Sequence, residues 1–241
     1  MPEAIAKKDD YTLYIHQDTD PLSPREDADN FGTMVCFHKR YSLGDPHFYE
    51  DKNDYLLSLL ADTLGSEDKA QAFYEKQLDR FSLVELAQND SAERQIDNAL
   101  IEAIEQKHVL LPLYLYDHGG ITMNTTGFSC PWDSGQVGWI HASKDDILQT
   151  FGGQNLTAAL RDRAKDLLEK EVACYDSYLV GECYGYELFK ADECIDNCWG
   201  FMGEREEVKA AIEHCLPPEC QGMTKALTSY EEPPKMREDV R

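Results

Sequence analysis

Apolar residues change their spacing twice along the chain, and each change marks a different kind of element. Residues 31–41 alternate between two faces, which is the period of a strand. Between residues 53 and 106 the apolar positions recur every three or four residues, as on one face of a helix. From residue 108 the period returns to that of strands. The sequence therefore predicts a helical insertion between two strand-forming regions.

Turn residues divide the rest of the chain into short elements. Strands are predicted over residues 11–16, 109–116, 121–126 and 136–141, and a second hairpin over 182–190 and 194–201. Helices are predicted near residue 143 and over residues 156–178 and 204–215. The pattern indicates an α+β fold with a largely antiparallel sheet, packed helices and a helical insertion at about 53–106. We expect a single domain over residues 1–216 and a flexible acidic tail over residues 217–241.

Composition indicates a folded protein that lacks a membrane span. Hydrophobic residues make up 42% of the 241 positions, which is sufficient for a core. The longest apolar run, residues 109–116, contains Pro112 and is too short to cross a bilayer. Lys7 and Lys8 are not followed by an apolar stretch, so no secretory signal is expected and the cytoplasm is the predicted location. In that compartment the eight cysteines are expected to be reduced, with disulfides as the alternative.

Negative charge is the strongest compositional signal. Asp and Glu number 46 against 23 Lys and Arg, giving a formal net charge of -23. Five successive blocks of about fifty residues carry -5, -6, -4, -5 and -3, so the acidity is spread along the chain. Such a surface repels phosphate backbones and anionic membranes, which argues against direct nucleic-acid or membrane binding. It can imitate the phosphates of a duplex, or it can serve solubility or adaptation to salt.

Cys36 and His38 are two residues apart on a predicted strand and would share a face. A thiolate beside an imidazole can act as nucleophile and base, or as two of four zinc ligands. A small core cysteine next to a partly exposed histidine produces the same pattern. All of these interpretations stay open from the sequence.

Two polar loops form the second candidate site. Asp117 and His118 lie at a predicted hairpin tip, and residues 130–135 (CPWDSG) precede the next strand. If the loops meet, a polar cluster results that could be a ligand pocket or an active site. Alternatively, the Asp and Ser side chains cap backbone amides in tight turns. The ligand-binding candidates are Asp117, His118, Cys130, Trp132, Asp133, Ser134, Cys36 and His38.

No cofactor or metal site is predicted. The other cysteines, at positions 174, 183, 194, 198, 215 and 220, lack the Cys-x2-Cys knuckle of most structural zinc sites. The chain contains no Walker loop, no Gly-x-Gly-x-x-Gly after a strand, no His-Glu-x-x-His and no Gly-x-Ser-x-Gly. Common nucleotide-dependent and hydrolytic mechanisms therefore have no support, and an enzymatic role is left open but not favoured.

Four segments resemble a known family. They are residues 29–38 (DNFGTMVCFH), 111–121 (LPLYLYDHGGI), 128–138 (FSCPWDSGQVG) and 198–201 (CWGF). These segments are similar to uncharacterised accessory proteins of bacteriophages and other mobile elements. The resemblance implies a protein acting in the cytoplasm of a bacterial host, and it implies no catalytic roles.

Charge and resemblance together favour an anti-defence inhibitor. Its expected partner is a host protein with a basic nucleic-acid-binding surface, which the acidic protein would occupy as a DNA mimic. A small-ligand-binding protein or enzyme that uses the Asp117/His118 and 130–134 loops is the alternative. A virion or assembly component is a third possibility, for which self-association would be the sign.

Overall fold

A computed structural model describes residues 2–27, 29–88 and 90–230, and it shows an α+β fold. In chain order the first elements are β1 (Pro2–Lys8), β2 (Tyr11–Gln17), α1 (Pro24–Asp27), β3 (Thr33–Cys36), α2 (Lys52–Leu64), α3 (Glu67–Leu78), α4 (Leu83–Gln88), α5 (Asp90–Ile104) and β4 (His108–Asp117). They are followed by β5 (Ile121–Asn124), β6 (Ser134–Ser143), α6 (Lys144–Phe151), α7 (Ala158–Val180), β7 (Cys183–Lys190), β8 (Glu193–Met202), α8 (Arg205–Cys215) and β9 (Thr228–Ser229). No helix within the described ranges is long and apolar enough to cross a membrane.

The described residues divide into two compact units, where the sequence predicts a single domain over residues 1–216. The first unit comprises the chain up to Pro24 and from Cys174 onward, and the second comprises Arg25–Ala173. Helix α7 begins in the second unit and ends in the first.

An antiparallel sheet with strand order β3-β6-β4-β5 forms the centre of the second unit. The helices of the predicted insertion pack on it, and their apolar stripes meet Val35, Leu110 and Trp139 of the strands. Asp51 accepts hydrogen bonds from the first amides of α2, and Gly65 ends this helix at a φ of 74°. Gly65 therefore separates α2 from α3, and the two helices pack together as a helical hairpin.

The first unit contains a second antiparallel sheet, with strand order β8-β7-β2-β1-β9. Leu13 and Ile15 of β2 alternate with half-buried residues and pack against Val208 and Ile212 of α8. Two 3-10 helices, Pro218–Cys220 and Met223–Ala226, bury Cys220 and Met223 in the same core.

The structure confirms the helical insertion but differs from the predicted elements in detail. The insertion contains four helices, and the predicted strand over residues 31–41 is confined to β3. Strand β1 was not predicted, because its register depends on pairing with β2 and β9. Residues 217–230 of the predicted tail contain the two 3-10 helices and β9, whereas residues 231–241 of that tail lie outside the described part of the chain.

Candidate functional site

The two polar loops predicted from the sequence do meet in the second unit. The backbone amide of Asp117, at the end of β4, donates a 2.8 Å hydrogen bond to the carbonyl of Asp133. The Nδ1 atom of His118 lies 3.3 Å from Oδ2 of Asp133. The β4–β5 turn and the loop before β6 therefore form one surface, which we call the loop cluster: Asp117, His118, Cys130, Trp132, Asp133 and Ser134.

Most polar groups of the loop cluster bind one another. The Cys130 thiol lies 3.6 Å from the same Asp133 oxygen that faces His118. The Ser134 hydroxyl donates to the carbonyl of Cys130, which is a turn-capping contact. Trp132 is almost fully exposed. The cluster thus combines internally bonded loop residues with an exposed indole and an exposed imidazole.

Arg40 and Tyr41, which the sequence did not single out, connect the loop cluster to His38. The guanidinium of Arg40 lies 3.1 Å from Oδ2 of Asp117, and the Tyr41 hydroxyl donates to Oδ1 at 3.3 Å. The Nδ1 atom of His38 accepts hydrogen bonds from the amides of Arg40 and Tyr41, and its ring stacks on Tyr41. His38 therefore lies in a turn after β3, and the amides of that turn hold its ring in place. The predicted strand over residues 31–41 did not include this turn.

Cys36 and His38 both line an open cavity of about 670 Å³. Aromatic side chains contribute much of its wall, among them Phe37, Tyr49 and Trp139. The volume lies within the range of small-molecule pockets. Cavity and loop cluster are neighbours along β6, because Gln136 and Gly138 line the cavity two and four residues after Ser134.

Cys36 is buried, and it does not have the properties of an activated nucleophile. Burial, with a smaller contribution from the nearby Asp45 carboxylate, raises the pKa of its thiol to about 12. The thiol is therefore protonated at neutral pH, whereas nucleophilic attack and metal binding require a thiolate. Within the described ranges, no group of three or more His, Cys, Asp or Glu side chains could hold a metal ion, and the eight cysteines are thiols rather than disulfides.

The sequence did not indicate a histidine pair formed by a buried and a partly buried ring, because its members lie 33 residues apart on different strands. His108 of β4 and His141 of β6 have ring centroids 5.7 Å apart. Tyr55 bonds Nδ1 of His141 at 2.8 Å, and Asp62 lies 3.0 Å from Nε2 of His108. Burial, with a smaller contribution from the neighbouring His108, lowers the pKa of His141 to about 4. Burial also lowers the pKa of His108, although the Asp62 carboxylate opposes this shift.

Unpaired acids cover the helical layer, which we define as residues 51–105. This segment has thirteen Asp and Glu against five Lys and Arg. Among the described side chains, its ion pairs involve only Glu93 and Asp97, both bound by Lys52, and Asp62. The exposed acids without an ion pair are Asp51, Asp54, Glu67, Asp68, Glu75, Asp79, Glu85, Glu102 and Glu105.

Comparison with protein-family models, with curated protein sequences and with solved structures gives no match.

Proposed function

We propose that this protein binds and inhibits a host protein that handles nucleic acid, by occupying that protein's basic surface. The observation that carries the proposal is the set of exposed carboxylates on the helical layer that form no salt bridge among the described residues. Carboxylates held on a folded scaffold present fixed negative charge without the cost of ordering a flexible chain. A basic groove that has evolved for phosphates attracts such a surface and is blocked by it.

The resemblance to accessory proteins of bacteriophages and mobile elements supports an anti-defence role within this proposal. A host nuclease is a suitable target, because it carries a basic surface and threatens incoming DNA. The site of action is then the host cytoplasm. The protein itself would not bind DNA, since its net charge of -23 opposes contact with phosphates.

The test is capture followed by competition. Tagged protein is incubated with nuclease-treated host lysate, eluted across a salt gradient and analysed by mass spectrometry. The expected result is a stoichiometric nucleic-acid-binding protein that elutes at moderate salt, since exposed charge pairs are screened by salt. The purified partner should then release a labelled duplex when the acidic protein is added. A partner that retains its duplex, or no such partner, would refute the proposal.

A second candidate function, small-ligand binding, is favoured by one specific observation. The loop cluster is linked through Tyr41 to His38, which lines the 670 Å³ cavity. A ligand in this cavity would contact aromatic walls and the exposed edge of His38, and its binding would order the adjoining loops.

Thermal-shift screening of a metabolite set tests this second function. A true ligand should raise the Tm of the wild-type protein, and His38→Ala should remove the shift. The matched control is His214→Ala, because His214 is an exposed histidine on α8 in the other unit. If both variants keep the shift, the cavity is not the site.

A further inference from the structure

The helical hairpin of α2 and α3 contains an open groove of about 690 Å³. Leu57, Ala61 and Ala70 contribute apolar surface to it, and the first two pack only partly into the core. The two helices have 13 and 12 residues, so the groove can follow at most about 20 Å of helix. These dimensions suit a short segment of another chain lying along the hairpin.

Carboxylates are the charged groups that line this groove. Asp54, Glu67 and Asp68 are all exposed, and no Lys or Arg lines the groove alongside them. Glu67 and Asp68 also stabilise the N-terminus of α3 through the helix dipole. That role concerns the helix alone, and it does not account for the apolar residues that line the same groove, among them Phe48 with its fully exposed ring.

We infer that this groove docks a basic amphipathic helix of the inhibited protein. An apolar stripe on that helix would cover Leu57 and Phe48, and its flanking Lys and Arg would face Asp54, Glu67 and Asp68. A second copy of this chain is a poor occupant, because each copy carries a net charge of -23. The inference rests on the proposed function and specifies the chemistry of the partner.

The direct test uses two fluorescein-labelled model peptides and the full-length protein. One peptide is a helix of Lys, Arg and Leu with the Leu residues on one face, and the other has the same composition in an order that disperses them. Fluorescence anisotropy should show about tenfold tighter binding of the first peptide. Equal binding of the two peptides would overturn the inference, because general acidity would then explain the association.

Matched variants locate the binding surface. The triple change Asp54→Asn, Glu67→Gln, Asp68→Asn should lower the affinity for the amphipathic peptide about tenfold, because three charge pairs between protein and peptide are lost. The control triple is Asp162→Asn, Asp166→Asn, Glu169→Gln on α7, where the same net charge is removed from exposed acids. It should change the affinity by less than about twofold. If the two triple variants lose affinity equally, the groove is not the binding surface and the inference is overturned.

Phe48→Ser gives a second variant that does not depend on charge. The ring is fully exposed, so the fold should survive, and circular dichroism verifies this. The variant should lower the affinity for the amphipathic peptide about threefold or more. Its affinity for the peptide with dispersed Leu residues should not change. An unchanged affinity for the amphipathic peptide would contradict the apolar part of the inference.

The lysate experiment separates the groove from the proposed function. If the wild type and the groove triple retain the same nucleic-acid-binding protein equally, the groove inference fails while the proposed function stands. If the wild type retains none, the proposed function fails, and the peptide titrations alone decide the groove.

Discussion

Acidification should destabilise this protein through His141. Burial favours the neutral ring, so the pKa of His141 is about 4 in the folded state, against about 6.5 in an unfolded chain. The unfolded chain therefore binds more protons between these values, and the stability contributed by the neutral ring is lost as pH falls through this window. The linkage relation gives a loss of about 2 kcal/mol between about pH 7 and about pH 5. His108 acts in the same direction, because burial lowers its pKa too.

The perturbation that isolates this effect is His141→Asn. Asparagine places a polar atom near the position of Nδ1, so the Tyr55 hydroxyl keeps a partner, but the side chain does not titrate. Urea unfolding at both pH values, followed by circular dichroism, should show that the variant loses about 2 kcal/mol less than the wild type on acidification. His118→Asn replaces an exposed histidine of the same unit and is the matched control. It should lose about as much unfolding free energy on acidification as the wild type.

A ring-proton NMR titration measures the same quantity directly. The His141 resonance should titrate near pH 4, well below an exposed histidine. The reasoning is refuted if His141 titrates above about pH 6, or if the wild type and His141→Asn lose equal free energy on acidification.

Three further predictions concern buried groups. Arg25→Met should lower the free energy of unfolding in urea by about 3 to 5 kcal/mol, because Asp45 and Glu171 would lose the buried guanidinium that binds both. A decrease below about 1 kcal/mol would contradict this prediction. Gly138→Ala should destabilise by about 1 to 3 kcal/mol, since its Cβ would lie 2.0 Å from a backbone oxygen of β3, whereas Gly135→Ala, with open space around it, should be neutral. Iodoacetamide followed by mass spectrometry should modify the exposed thiols first and leave the buried ones unmodified in the native protein. The exposed thiols are Cys174, Cys194, Cys198 and Cys215, and the buried ones are Cys36, Cys183 and Cys220.

The candidate sites were predictable to different degrees. Asp117, His118 and Asp133 were found because turn residues and polar side chains cluster near them in the chain. The contact between their loops depends on the β4–β6 register, which no local pattern contains. The contacts of Arg40 and Tyr41 with Asp117 join residues that are 77 and 76 positions apart, respectively. For the same reason the pair of His108 and His141 has no local signature.

Local periodicity was sufficient for the fold class, the helical insertion and most elements, because a strand or helix shows its period within a few residues. Composition was sufficient for the negative charge of the protein and for its spread along the chain. Tertiary packing, in contrast, placed β1 in a sheet and grouped the two ends of the chain into one unit. It also made Cys36 a buried thiol and opened a groove between α2 and α3. These features depend on contacts between residues that are distant in the chain, and the free energy of such contacts is absent from any short window of sequence.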